Sequence, residues 1–288
     1  MNKLSTTYLP DGREVFCLQA EEAKVLYEQV RGYIKHDITL KEGDTVFDVG
    51  ANIGLFSLMV DRLCQGKANI LAFEARKRAF ARRMFYSLVE PIPDVFAALN
   101  RNAAKFNPAK IKTFQIALGD RSQITNFSYY PNATAISSLY PDASGTEKQQ
   151  FAITVKENAA RLPFPINLID SLPEPLRSFS CDRIVNFAYW EEKIECQIKT
   201  ISQIVVEQSI AEINLLKIDV EKAELDVLLG IKPQHWSIIQ QVVIEVHNLN
   251  GRVDRITDML YAKGFKNIVR EQDPIFKHLN IYGIFATK

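Results

Sequence analysis

Apolar positions along this chain fall into two rhythms, short unbroken runs and helical spacings, and they take turns. Residues 4 to 18 predict two short strands around Pro10-Asp11-Gly12, a hairpin placed to cap one edge of the fold. Ala23, Leu26, Tyr27, Val30 and Ile34 recur at helical spacing, so Glu21 to Ile34 is expected as an amphipathic helix. Val46 to Val49 is an apolar run around an acid, a buried strand. Gly50 and Gly54, flanking Asn52, break it into a tight turn that opens a helix over Ile53 to Leu63. A second strand spans Ile70 to Phe73 and ends on Glu74, a helix covers Val95 to Phe106, and a third strand runs from Ile111 to Leu118. Further on, Lys193 to Val205 predicts a strand entering a short helix. Ile213 to Ile218 is a buried strand ending at Asp219, followed by a helix over Ala223 to Leu229. Val242 to Val246 is another strand, running out through His247-Asn248, and Arg252 to Gly264 is a helix with glycine at its stop.

The last two strands, Phe265 to Glu271 and Ile281 to Thr287, follow one another without a helix. A strand–helix series that finishes in such a pair implies an α/β fold whose mainly parallel sheet carries an antiparallel edge. Three stretches resist this pattern. Ala75 to Val89 packs five arginines and lysines into a helix-like run, and Phe127 to Tyr140 alternates aromatic and small polar residues as a strand and loop near the cleft. Lys148 to Ala188 is broken by Pro163, Pro165, Pro173 and Pro175 and shows no core pattern of its own. The segment 148–192 is therefore expected as a cap or lid inserted in a single domain.

With 288 residues, 47% of them hydrophobic, the chain can bury one large α/β core. Its net charge of +1 supplies no basic field for nucleic acid, and no apolar run approaches the roughly 18 residues of a membrane span. Cys17, Cys64, Cys181 and Cys196 lack a paired metal spacing and are expected as reduced thiols; together with the absence of a signal-like start this points to a cytoplasmic protein.

The glycine turn carries the first chemistry. Glycine lets backbone approach a ligand, and the helix behind it offers unpaired N–H groups. A dinucleotide fingerprint would place a further glycine where Asn52 stands, and an amide there suits a ligand with an amino-acid end better than a pyrophosphate. An acid at the end of the second strand would accept from a ribose diol. Glu74 is favoured for this, and Glu90, beside Pro91, competes.

The turn DVGANIG at 48 to 54, LLKIDVEKAELDVLLGI at 215 to 231 and VVIEVHN at 242 to 248 together resemble the FkbM-type S-adenosylmethionine-dependent methyltransferases. The likeness runs from about Leu9 to the C-terminus. The block around Tyr129 to Tyr140 and the segment KIECQIKTISQIV are most similar to O-methyltransferase domains of polyketide and nonribosomal peptide assembly lines. Two departures stand out: a basic stretch separates Phe73-Glu74 from Pro91, and Lys222 occupies a helix position where glycine is frequent.

The resemblance implies a class I, Rossmann-like fold with a seven-stranded sheet and S-adenosyl-L-methionine as cofactor. Gly50, Ala51 and Gly54 would make room for its methionine end, with Asn52 on the amino-acid group, and Asp48 would order the loop or meet the ammonium. Glu74 would hold the ribose, and Ala117 to Asp120, including Leu118, would flank the adenine. It also implies O-methylation of a natural-product hydroxyl, free or tethered to an acyl or peptidyl carrier protein; a sugar hydroxyl is next, and an NAD-type oxidoreductase is a distant rival. Methylating a hydroxyl calls for a base near the later strand ends. His247 is the candidate, oriented by Glu221 or Glu245, with Asp219 beside the acceptor or cofactor. Asp219, Glu221, Glu245 and His247 could also ligate a metal, but no ligand spacing argues for one, and none is expected.

Overall fold

A computed structural model describes residues 4–75, 95–130, 132–133, 136–141, 145–159, 166–272 and 279–288. The competing acid Glu90, the basic stretch after Ala75, and Pro163 and Pro165 lie outside the described residues. The chain opens with β1 (Ser5–Tyr8), β2 (Glu14–Cys17) and α1 (Ala20–Arg31), followed by β3 (Thr45–Val49), α2 (Leu55–Leu63), β4 (Asn69–Phe73) and α3 (Val95–Phe106). Next come β5 (Ile111–Phe114), β6 (Ala117–Leu118), β7 (Gln123–Tyr129), α4 (Thr146–Asn158), α5 (Glu174–Ala188), β8 (Glu192–Lys199) and α6 (Ile201–Glu207). The C-terminal third holds β9 (Leu215–Ile218), α7 (Glu224–Leu229), β10 (Gln241–His247), α8 (Arg252–Ala262), β11 (Asn267–Glu271) and β12 (Ile281–Thr287).

Seven strands form one sheet in the order β11-β12-β10-β9-β3-β4-β5, with β12 antiparallel to both β10 and β11 and with β10, β9, β3, β4 and β5 paired in parallel. This is the expected parallel sheet with its antiparallel edge. Because side chains alternate across a strand, each strand feeds both layers. Phe47, Val49, Leu216, Ile218, Val242, Ile244 and Val246 join the core under α6, α7 and α8. Val46, Ile70, Leu215 and Val243 join the core under α1, α2 and α3.

Several elements differ from the sequence pattern. The third strand is two pieces: Phe114 ends β5, and Ala117–Leu118 leaves the main sheet to pair with β8, giving a separate three-stranded sheet β6-β8-β7. The N-terminal hairpin is a two-stranded sheet of its own, held against α3 by buried Asn102, which bonds both backbone groups of Phe16 and the carbonyl of Ile53. Pro173 and Pro175 start a helix rather than break one. Pro173 caps α5 and Pro175 stands in its first turn, where a missing N–H costs nothing. The α4–α5 pair also has a small core of its own, Val155, Ala159, Ile169 and Cys181, which the pattern did not reveal. All four cysteines are free and buried. Among the described residues no helix is long and apolar enough to cross a membrane.

Candidate active site

A cavity opens beyond the carboxyl ends of β3, β4 and β9, where the connections leave β3 and β9 in opposite directions. Open α/β sheets bind their ligands at such a point. One end of the cavity is made by the turn after β3. Gly50, Ala51 and Asn52 line it, and the N–H groups of Gly50 and Ala51 are tied to the Phe73 carbonyl. Glu74 also lines it and accepts the Asn52 backbone N–H at 2.8 Å. Ile116, Leu118 and Phe127 close the apolar wall on this side.

The two glycines also answer to the packing around them. Gly50 takes φ +76°, and a Cβ there would stand 1.7 Å from the Asp219 carbonyl oxygen; in Gly54, at φ +89°, it would stand 2.8 Å from Leu99. Both therefore make room for the protein's own neighbours. Gly50 admits the end of β9 against the turn, and Gly54 admits α3.

The other end is polar, and strand alternation explains why. Asp48 on β3, Lys217 on β9, and Glu245 and His247 on β10 all occupy the positions that point to the α1 side, beyond the apolar Val46, Leu215 and Val243. Lys217 is almost fully buried: its Nζ donates to the Gly50 carbonyl at 2.8 Å and lies 3.2 Å from Asp48 and 3.6 Å from Asp219. Burial alone would discharge this lysine, but Asp48 and Asp219 outweigh it and raise its pKa. Asp48, which also accepts from Ser57 at 2.7 Å, thus serves beneath the turn and does not line the cavity.

Beyond β9 the backbone turns through two consecutive left-handed non-glycine residues, Glu221 at φ +45° and Lys222 at φ +72°. Lys222 is therefore in a turn before α7 and not in a helix, and the frequent glycine at this position has a backbone cause. Lys222 is held there by its Nζ bond to the Tyr140 carbonyl at 2.9 Å, by an ion pair to Glu147, and by its N–H to Glu224 at 2.7 Å.

The turn places Glu221 on the cavity wall with His247 behind it: His247 Nε2 is 3.0 Å from Glu221, and Nδ1 is 2.9 Å from Glu224, which is paired in turn with Arg252 at 2.9 Å. Burial would favour a neutral ring, but the two glutamates overcome it and hold the His247 pKa well above the usual imidazole range. Burial raises Glu221, with His247 opposing. In Glu224 the His247 and Arg252 contacts outweigh burial and lower it. Glu245 contacts neither ring nitrogen. It is pushed up to about 8 by burial and by the charges of Asp219 and Glu221.

Of the residues expected at the site, Gly50, Ala51, Asn52, Glu74, Leu118 and Asp219 line the cavity together; Asp48, Gly54, Glu245 and His247 stand behind its wall. A lone imidazole facing the acceptor is not what the geometry offers, because both His247 nitrogens are engaged; the member of that chain on the wall is Glu221. Sequence reasoning missed Lys217, Glu224, Gln29 and Tyr33. A lysine within an otherwise apolar strand was a legible signal for the first. For Tyr33 there was none. Asp219, Glu221 and Glu245 offer oxygens within 4.8 Å of one another, a grouping that could take a cation. Tyr33, Gln29, Lys217 and His247 already meet these acids as donors.

A parallel sheet with the antiparallel β12 inserted next to its edge, and a cavity at the reversal point holding an asparagine turn and a strand-end acid, define a class I methyltransferase fold. The chain belongs to the FkbM methyltransferase family: the methyltransferase FkbM domain matches residues 48–267. It is 33% identical to the 31-O-demethyl-FK506 methyltransferase FkbM of Streptomyces tacrolimicus, over 99% of this chain and 97% of that protein. It is 29% identical to the AMB antimetabolite synthetase AmbE of Pseudomonas aeruginosa over 97% of this chain, which spans only 12% of that protein. Among solved structures it is similar to methyltransferase FkbM from Methylobacillus flagellatus KT, at 11% identity and a TM-score of 0.47, over 91% of this chain and 51% of that one. The protein is thus a methyltransferase with relatives in natural-product biosynthesis, and its family and fold imply a donor of the S-adenosylmethionine type.

Proposed function

We propose that this protein is an S-adenosyl-L-methionine-dependent O-methyltransferase acting on a hydroxyl of a polyketide or peptide intermediate, free or tethered to a carrier protein. The observation that carries the reading is the division of one cavity into an amide-and-acid end and a proton-handling end. At the first, the buried side-chain oxygen of Asn52 has no hydrogen-bond partner. An acceptor that has lost water is costly to leave unpaired, and the methionine ammonium is a donor that fits it. Glu74, fixed by the Asn52 N–H, suits the ribose hydroxyls, and Leu118, Ile116 and Phe127 suit the flat apolar adenine. The sulfonium supplies an activated methyl group, so the protein has mainly to align the acceptor and exclude water, an effect worth roughly 7 to 11 kcal/mol of barrier.

At the second end Glu221 takes the hydroxyl proton as the new bond forms. His247, bonded to it from behind, keeps the carboxylate aimed and spreads the proton's charge toward Glu224 and Arg252. Asp219 stands between the two ends, its side chain anchored near Lys217. Assays of methyl transfer to free and carrier-tethered hydroxyacyl substrates, beside calorimetric titration with S-adenosylhomocysteine and with NADH, test the reading. Methyl transfer to oxygen with binding of S-adenosylhomocysteine supports it; binding of NADH alone overturns it. The relation to the FK506 methyltransferase and to a segment of AmbE supports a natural-product acceptor.

A further inference from the structure

We propose that α1, outside the residues matched to the family domain, completes the acceptor end of the active site, with Tyr33 and Gln29 as positioning residues for Asp219 and Glu245; this rests on the O-methyltransferase reading above. Gln29, Leu26 and Val30 line the cavity from α1. Tyr33, just past the helix end and buried, brings its hydroxyl 2.9 Å from Asp219 Oδ2 and 3.3 Å from Glu245 Oε2, while Gln29 Nε2 donates to Glu245 Oε2 at 3.1 Å. Its ring packs edge-on against Phe56 and lies 5.5 Å from Lys217 Nζ, so the hydroxyl has little freedom to turn away.

Proton bookkeeping gives the contact its meaning. A phenol has one proton to donate and lone pairs to accept. If it donates to Asp219, the second contact is a hydrogen bond only when Glu245 is protonated and donates back. The tyrosine then links the carboxyl group at the cavity wall to the one behind it. The groups facing this pair are Lys217 on β9, Glu221 after β9, His247 on β10, Asp48 on β3, and Tyr33 and Gln29 from α1. Of these, Tyr33 alone touches both acids and comes from a separate layer, so α1 sets how that proton is shared.

The test is Tyr33→Phe, with Gln29→Leu as a second, less buried change. Both should bind S-adenosylhomocysteine within about twofold of wild type. Loss of the hydroxyl that touches both acids removes their shared anchor, so Tyr33→Phe should lower kcat at least tenfold at neutral pH and shift the kcat profile along the pH axis. Gln29→Leu should lower kcat by a smaller factor with the same cofactor affinity. A Tyr33→Phe protein that keeps kcat within twofold and an unshifted profile overturns the inference while leaving the methyltransferase reading intact. If Tyr33→Phe does not fold, Gln29→Leu decides: wild-type kcat with an unshifted profile overturns it. A wild-type protein that binds S-adenosylhomocysteine yet methylates no hydroxyl overturns the reading above, and this inference with it.

Discussion

The two ends of the cavity are built by opposite means. The turn after β3 is local: Gly50, Ala51, Asn52 and Glu74 lie within two strands and their exits, and their bonds are mostly to nearby backbone. The polar end gathers Tyr33, Lys217, Glu221, Glu224 and His247 from the segment after α1, β9, the turn after it, α7 and β10. The local end depends on backbone shape and tolerates few side-chain changes at the glycines. The assembled end depends on buried charge pairs, each meaningful only with its partners present. A defect in the first should appear as lost folding or lost cofactor affinity, and one in the second as lost turnover or altered pH response.

Substitutions that separate the two ends can be ranked by expected effect. Gly50→Ala should be the most damaging, because its Cβ would stand 1.7 Å from the Asp219 carbonyl. Backbone there cannot yield without displacing β9, so a loss above roughly 4 kcal/mol is expected by denaturant unfolding. Unchanged stability would mean the turn is less tightly seated than the geometry requires. Glu221→Gln should follow, with methyl transfer reduced on the order of 100- to 10,000-fold and S-adenosylhomocysteine affinity nearly unchanged. Turnover close to wild type would move the proton-accepting role elsewhere.

The pH response of stability comes next. Glu245 holds its proton to about pH 8 in the folded protein and gives it up near 4.5 when unfolded, so folding takes up a proton between those values. Its contribution is complete below the lower value and is lost as pH rises through the upper one. Glu245→Gln, which cannot ionise, should flatten that loss and gain roughly 2 to 4 kcal/mol over wild type near pH 8. Parallel melting curves for the two proteins from pH 5 to 9 would contradict the assignment. The smallest effect should be that of Asn52→Ala. Losing one hydrogen bond to a charged ligand group should weaken S-adenosylhomocysteine by about 10-fold, with kcat at saturation little changed.

Much of the fold was legible because its signals are periodic. β3, β4, β9, β10 and the final antiparallel pair fall where apolar runs end in turn residues, and α3 spans the predicted Val95 to Phe106. The misses share a physical origin. β6 is two residues long and pairs with a strand some 80 positions away, so no local rhythm announces it. The proline-marked start of α5 looked like a breaker because a proline at a first helical turn and one in a helix interior are the same letter with opposite consequences. Lys222 looked like a helix residue, since only the backbone path reveals its φ of +72°.

At the site, residue chemistry and strand ends together predicted that Asn52, Glu74 and Asp219 would meet, and they line one cavity. That much follows from the pattern, because the carboxyl ends of parallel strands lie along one edge of the sheet, and β9, β3 and β4 are neighbours in it. How the acids are paired, and which of them reaches the cavity wall, was decided by tertiary structure alone. His247 lost its free nitrogens to Glu221 and Glu224, and burial beside Asp219 under α1 pushed the Glu245 carboxyl up to about 8. Both are properties of distance and dehydration between remote segments, and neither exists until the sheet and α1 have closed on one another.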